Sequence, residues 1–206
     1  MRIVVFAILG CLVGPAAAAP DCPDFGPMTG LYDYWNAADR AKSGATATNE
    51  HYHFNADVEA LRKGQSATLG ADIIYVLRLT PNHPRALNAL SRLSLRDKTR
   101  QPRGTEMPTE CWLYRATVFR PEDGTARMIY GSYVAQLGRT KEAFELLKEA
   151  EKLKPDDGNL TYNLGLVYFD LRDYENARAY AKRASELGFP LPGLKQKLVK
   201  AGEWRE

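Results

Sequence analysis

The sequence predicts an all-α solenoid, in which pairs of helices stack side by side along the chain. Two adjacent segments, 124–157 and 158–190, align with each other at a period of 34 residues. The residues that coincide are small: Gly131 with Gly165, Ala143 with Ala177, and Ala150 with Ala184. Two helices cross closely only where small residues let their backbones approach. The repeat therefore predicts tightly packed helix pairs, which end at Pro155 and Pro190.

The overall composition is that of an ordinary globular protein. Hydrophobic residues make up 45% and charged residues 26% of the 206 positions, which excludes wholesale disorder. The 28 Lys and Arg residues nearly balance the 25 Asp and Glu residues, for a formal net charge of +3. Proteins that bind nucleic acid electrostatically are usually strongly basic, so we expect no nucleic-acid partner.

The first 18 residues are predicted to be a cleaved secretory signal. One positive charge precedes an apolar run over 3–13, and alanines at positions 16 and 18 fit a cleavage site. The run is too short to span a bilayer, so the mature chain is expected to have no integral membrane segment. The predicted location is the periplasm or the exterior. Two alternatives remain open, a buried N-terminal helix and a lipoprotein carrying its lipid on Cys11.

Export leaves two cysteines in the mature chain, Cys22 and Cys111. An even number of cysteines in an oxidising compartment favours a disulfide, which would join the N-terminal arm to the middle of the fold. The alternative is a pair of buried, unpaired thiols. A redox-active pair is not favoured, because the sequence has no C-x-x-C motif.

The two aligned segments resemble the tetratricopeptide repeat. That family has a small residue at position 8, an aromatic residue at 11, alanines at 20 and 27, and a proline at 32. The resemblance implies a right-handed superhelical solenoid. Its concave groove is lined by the first helix of each pair, called helix A, and the second helix is called helix B. It also implies a C-terminal capping helix that covers the last apolar face.

The repeat divides the chain into segments, because Pro121 and Pro81 continue the series of repeat-ending prolines upstream. The predicted segments are a signal peptide (1–18), an N-terminal arm (19–49), a degenerate repeat-like unit (50–82), a repeat-like unit with an insertion (83–123), two repeats (124–157 and 158–190), and a capping helix with a tail (191–206). In the upstream units we expect helices over 54–63, 68–79, 83–93 and 109–119. Positions 43–49 are expected to form a flexible link.

The resemblance implies that the groove holds a peptide or a protein, through positions 2, 5, 6, 9, 12 and 13 of each helix A. The candidate peptide-binding residues are Asn163, Tyr162, Leu166, Phe169, Asp170, Met128, Asn88 and Asn55. Asparagine occupies position 6 in three units, and its amide can pair with a peptide N–H and C=O together. The third unit departs from this, with Ile129 at that position. The alternative is that these asparagines serve only local packing and capping.

Sequence motifs for enzymes and cofactors are lacking. His51 and His53 have no third or fourth ligand nearby in the sequence, whereas structural zinc requires four, so no metal is expected. There is no P-loop, haem-attachment motif or nucleophile elbow, so we expect neither a cofactor nor an enzyme. The basic stretch over 92–103 is interpreted as a solvated loop.

The predicted function is a non-catalytic adaptor or assembly factor of the bacterial cell envelope, which binds a protein or peptide in its concave groove. The first alternative is a structural subunit of an envelope complex that binds through its convex face or its ends. The second is an accessory domain of an enzyme.

Overall fold

The computed structural model describes residues 20–41 and 46–205, and the regular structure in these residues is entirely helical. In chain order the helices are α1 (Ala37–Ala41), α2 (Thr46–His53), α3 (Ala56–Glu59), α4 (Leu69–Leu79), α5 (Pro84–Arg96), α6 (Thr109–Phe119), α7 (Gly124–Gln136), α8 (Thr140–Leu153), α9 (Gly158–Asp170), α10 (Tyr174–Glu186) and α11 (Gly193–Lys200). None of them is long and apolar enough to cross a membrane. The predicted signal peptide, its lipidation alternative at Cys11 and positions 43–45 lie outside the described residues.

Three helix pairs form the body of the solenoid: α5 with α6, α7 with α8, and α9 with α10. The A helices α5, α7 and α9 each begin at a side chain that accepts hydrogen bonds from free N–H groups of the first turn. Asp123 caps α7 with bonds of 2.9 and 3.1 Å, and Asp157 caps α9 with a bond of 3.0 Å. Nδ1 of the buried His83 caps α5 at 3.1 Å. These caps fix where each repeat starts.

The repeated glycines lie at contacts between helices A and B. A Cβ atom placed on Gly131 would lie 2.8 Å from Cγ of Leu147 on α8. A Cβ on Gly165 would lie 3.2 Å from Cβ of Tyr180 and 3.6 Å from the backbone oxygen of Ala177, both on α10. This agrees with the contact that the small residues predicted.

The last repeat is covered by α11, which lies against both α9 and α10. The buried residues Ala177, Leu194 and Leu198 form a second hydrophobic cluster there, separate from the main core. A Cβ on Gly165 would come within 2.4 Å of Cδ2 of Leu194, so α11 packs closely onto the same small position. The capping helix thus occupies the side on which a further repeat would stack.

The predicted helix over 54–63 was wrong. The chain has α2 before this segment and only the short α3 within it. Phe54 is 2% exposed, and Asn55 adopts an extended conformation whose side chain accepts hydrogen bonds from two N–H groups of α3. The helix breaks because Asn55 caps a new one and Phe54 turns into the core. The expected link over 43–49 was also wrong in part, since positions 46–49 are helical.

The first part of the predicted N-terminal arm, residues 20–36 and called the arm from here on, packs against α4, α6 and the turns that precede α5 and α7. A disulfide joins Cys22 to Cys111 on α6. The ring of Phe25 lies 6.1 Å from that of Tyr114, also on α6. Further along, the backbone N–H of Tyr32 donates to the backbone oxygen of Leu79 (2.8 Å). The arm therefore forms a covalently anchored layer on the B helices of the first two units.

Candidate functional site

The solvent face of α5 carries three exposed polar residues at helical spacing, Arg85, Asn88 and Arg92. Arg85 pairs with Glu59, and Arg92 donates to the backbone oxygen of the same residue. The side-chain amide of Asn88 makes no hydrogen bond to any residue that the structure describes. Both its donor and its acceptor therefore face solvent, as the predicted role in peptide binding requires.

The equivalent face of α7 is closed. Met128 is 8% exposed and Ile129 is 3% exposed, and both belong to the main core. Met128 therefore packs inside the protein and offers no accessible contact, which corrects the expectation that it lines the groove. Its thioether fills core space instead of facing a ligand. Gln136, near the end of α7, is the exposed groove position of this helix.

On α9 the amide of Asn163 is half-buried and partly used within its own helix. Its Nδ2 donates to the backbone oxygen of Asn159 (3.0 Å) and to Oδ1 of Asn159 (3.1 Å). Oδ1 of Asn163 accepts no hydrogen bond from the described part of the chain. Asn159 is itself exposed, so the two amides form a small polar surface at the start of α9.

The structure brings Tyr162, Leu166, Phe169 and Asp170 together, but against α11. The first three residues pack on the second hydrophobic cluster, and the ring of Tyr162 lies 5.4 Å from that of Phe189. Nζ of Lys197 on α11 lies 5.2 Å from the centre of the Phe169 ring and 3.7 Å from Oδ1 of Asp170. The spacing of the residues did not reveal this, because the capping helix takes the place of the next helix A.

Asn55 lies just before the short α3 and not within a helix A. Its Oδ1 accepts from the backbone N–H groups of Asp57 and Val58, both at 3.0 Å. Asn55 therefore serves as a helix cap, as the alternative stated, and its side-chain oxygen already accepts two hydrogen bonds.

The histidines lie in polar and aromatic contacts near the N-terminal end. The ring of His51 meets that of Tyr52, and Nδ1 of His53 lies 3.2 Å from Oδ1 of Asp72 and 2.9 Å from Oγ of Ser66. Burial opposes ionisation of Asp72, but hydrogen bonds from Ser66, Gln65 and His53 outweigh it and lower the pKa of this carboxyl. In the described residues no three His, Cys, Asp or Glu side chains gather as a metal site.

Comparisons with known proteins agree with this architecture. The solved structure of PilF from Pseudomonas aeruginosa is similar in fold, with a TM-score of 0.53 and 19% sequence identity over 77% of this chain and 68% of that one. No sequence among curated proteins matches the chain. The profile of the tetratricopeptide repeat matches residues 112–158 and 145–188, which span α6 to α10. The matched part of the chain, residues 112–188, therefore consists of tetratricopeptide repeats, in agreement with its repeated small residues and stacked helix pairs.

Proposed function

We propose that this protein is a non-catalytic adaptor or assembly factor of the bacterial cell envelope, which holds a peptide or protein along the exposed faces of α5 and α9. Tetratricopeptide repeats support a role in protein interaction in general. The observation that carries the binding mode is the pair of asparagines at equivalent positions of two A helices. The side-chain amide of Asn88 makes no hydrogen bond to any described residue, and Oδ1 of Asn163 accepts none from them.

An exposed amide suits recognition of a peptide backbone. Nδ2 of Asn88 can donate to a peptide carbonyl while Oδ1 accepts from a peptide N–H, and Oδ1 of Asn163 can accept from a second N–H. Arg85 and Arg92 flank Asn88 on α5. Because both guanidinium groups are already bound to Glu59, we assign the binding to the amides and not to the arginines.

The envelope location rests on two observations. The first 18 residues have the pattern of a secretory signal. The Cys22–Cys111 disulfide is of a kind that persists in oxidising compartments such as the periplasm. Cell fractionation followed by intact mass under non-reducing conditions tests this proposal. We expect a chain that begins at Ala19 and is two hydrogens lighter than its reduced form. A full-length, fully reduced chain in the cytoplasm would overturn it.

Site-specific photocrosslinking in living cells tests the binding surface. A benzoylphenylalanine residue is placed at Gln136 or Asn159 on the A helices, and in control strains at the exposed Glu145 or Ala179 on the B helices. We expect one partner adduct from the A-helix positions, reduced by Asn88→Ala or Asn163→Ala in the Gln136 strain. Equal adducts from all four positions would overturn the groove proposal.

A second candidate function is a structural subunit that binds through the convex face. The observation in its favour is that Val118 on α6 and Leu153 on α8 are 44% and 41% exposed, although both are large apolar residues. An adduct formed only from Glu145 or Ala179 would support this candidate. No fold feature of the described residues favours the enzyme-accessory alternative.

A further inference from the structure

A cavity of about 410 Å³ opens at the C-terminal end of the solenoid, between α10, α11 and the last described residues. This volume lies within the range of roughly 300 to 1,000 Å³ typical of ligand sites. Its apolar wall includes Tyr162, Phe189, Leu194 and Trp204. The segment that joins α10 to α11 contains two of its lining residues, Pro190 and Pro192, whose fixed φ angles stiffen that wall. The cavity therefore has a preformed shape.

Two lysines on one side of the cavity form no ion pair with any described residue. Nζ of Lys182 lies 5.7 Å and Nζ of Lys195 lies 4.8 Å from the centre of the Trp204 ring. The ion pairs nearby join Arg178 to Glu203 and Lys197 to Asp170, and neither cavity lysine has a carboxylate partner among the described residues. Two ammonium groups thus lie beside one indole ring at the cavity with no described carboxylate within ion-pair distance, although the Glu186 carboxylate also lines the cavity.

The two lysines beside the apolar wall select a ligand that brings an anionic oxygen next to an apolar group. The lining also offers acceptors, in Glu186 and Ser185, which suit the N–H groups of a peptide backbone.

We infer that this cavity is a second partner site, which binds a short peptide segment of a partner protein in which an acidic residue adjoins a large apolar one. The apolar side chain fills the space between Tyr162, Phe189 and Trp204, and the carboxylate lies near Lys182 and Lys195. A peptide fits better than an anionic lipid surface, because a single side chain can enter the cavity whereas a flat lipid surface would contact only its rim, and the Ser185 hydroxyl can accept from a peptide N–H group. The cavity shares Tyr162 with the predicted peptide-binding residues of α9, but its two lysines and Trp204 lie on α10, α11 and the chain beyond, and this inference does not depend on the proposed groove.

Nuclear magnetic resonance of the ¹⁵N-labelled protein tests the site, because the three tryptophans give three indole signals and Trp204→Phe assigns one of them. The probes are end-capped hexapeptides with Glu beside Phe, Trp or Leu, a twin set with Gln in place of Glu, and anionic phospholipid vesicles. We expect Glu-containing peptides to shift the Trp204 signal more than those of Trp35 and Trp112. Gln twins that bind as tightly, or vesicles that shift the signal when no peptide does, would overturn the proposal.

Variants that remove the two lysine charges provide a second test. Lys182→Gln with Lys195→Gln should weaken binding of the best peptide about tenfold, the combined effect of two exposed charge pairs. The matched control is Lys152→Gln with Lys200→Gln, which removes two exposed lysines outside the cavity and should leave binding unchanged. Equal melting temperatures of the two double variants would show that folding is not the cause. Equal peptide affinities would contradict the site.

Discussion

The indole N–H of Trp35 donates a hydrogen bond of 2.8 Å to Oδ2 of Asp123, which lies 88 residues further along the chain. The other carboxylate oxygen, Oδ1, caps α7. The side chain of Asn82 donates to the same Oδ2 (3.0 Å) and to Asp33 of the arm (2.7 Å). One aspartate therefore starts a repeat helix and also holds the arm in place.

Replacing Trp35 by Phe should lower the free energy of unfolding by about 1 kcal/mol, because a hydrogen bond to a carboxylate is lost. The ring is 52% exposed, so little hydrophobic burial changes. Urea unfolding measures the difference. Tyr52→Phe is the control, since Tyr52 is 60% exposed and lies on α2, away from the arm. Equal stability of Trp35→Phe and the wild type would show that the arm is not held by this bond.

The disulfide should contribute more to stability than any hydrogen bond of the arm. Cys22 and Cys111 are 89 positions apart, and closing a loop of that length restricts the unfolded chain by at most about 4–5 kcal/mol. Guanidinium unfolding with and without a reductant should show this loss in the wild type. Cys22→Ser with Cys111→Ser should be as unstable as the reduced wild type and insensitive to reductant. A wild type that reductant leaves unchanged would contradict the prediction.

The repeats from α7 to α10 could be predicted from the sequence because their packing depends on residue size at fixed spacing. Small residues at Gly131 and Gly165 permit close helix contacts, so the spacing of these residues indicates which helices pair. The upstream unit could not be predicted in the same way. There the helix ends because burying Phe54 and capping α3 with Asn55 stabilise the fold more than continuing the helix through these residues would.

The candidate site was predictable only in part. Helical spacing correctly places Asn88 on an exposed face, since the turn of the helix alone decides that. It does not show that Met128 is covered by neighbouring helices, nor that α11 packs on Tyr162 and Phe169. Both outcomes depend on which helix comes next in the stack. The cavity at Trp204 is even harder to predict from the sequence, because its walls come from several helices, the connection between α10 and α11, and the chain end.

Replacing Gly131 by Ala should destabilise the protein by about 1 kcal/mol, although alanine favours helix. The gain in helix propensity is roughly 1 kcal/mol, whereas overpacking a tight core costs about 1–3 kcal/mol. The added Cβ would lie 2.8 Å from Cγ of Leu147 and 3.2 Å from Cβ of Leu146, atoms close to the backbone that cannot turn aside. Thermal unfolding measures the loss. A variant more stable than the wild type would show that α7 and α8 have room to separate.

Gly165→Ala should disturb the capping helix more than the α9–α10 contact. The nearest atom to the added Cβ, at 2.4 Å, is the end of the Leu194 side chain on α11, whereas the nearest atoms on α10, Cβ of Tyr180 and the oxygen of Ala177, are at 3.2 and 3.6 Å. Hydrogen exchange should therefore become faster in α11 and change less in α10. Faster exchange throughout α9 and α10 would mean that Gly165 is needed for the helix pair itself.

Glu110 is a buried carboxylate of α6 that joins two repeats. Its Oε1 accepts from the hydroxyl of Tyr130 on α7 (3.1 Å), and its Oε2 accepts from Arg139 at the start of α8 (2.8 Å). Burial by itself would raise the pKa of Glu110. The hydrogen bonds and charge of Arg139 outweigh this effect, so the pKa lies below the ordinary value of 4.5. Ionised Glu110 is therefore better stabilised in the folded chain than in the unfolded one.

Because the pKa is lower in the folded chain, the contribution of Glu110 to stability is complete above the unfolded value and is lost as the pH falls through the folded value. Glu110→Gln should lower the free energy of unfolding at pH 7 by about 1–3 kcal/mol. The difference in free energy of unfolding between this variant and the wild type should become smaller below about pH 4.5. Urea unfolding between pH 7 and pH 3 measures it, with the exposed Glu145→Gln as control. A difference in free energy of unfolding that stays constant with pH would mean that Glu110 acts through its shape and not through its charge.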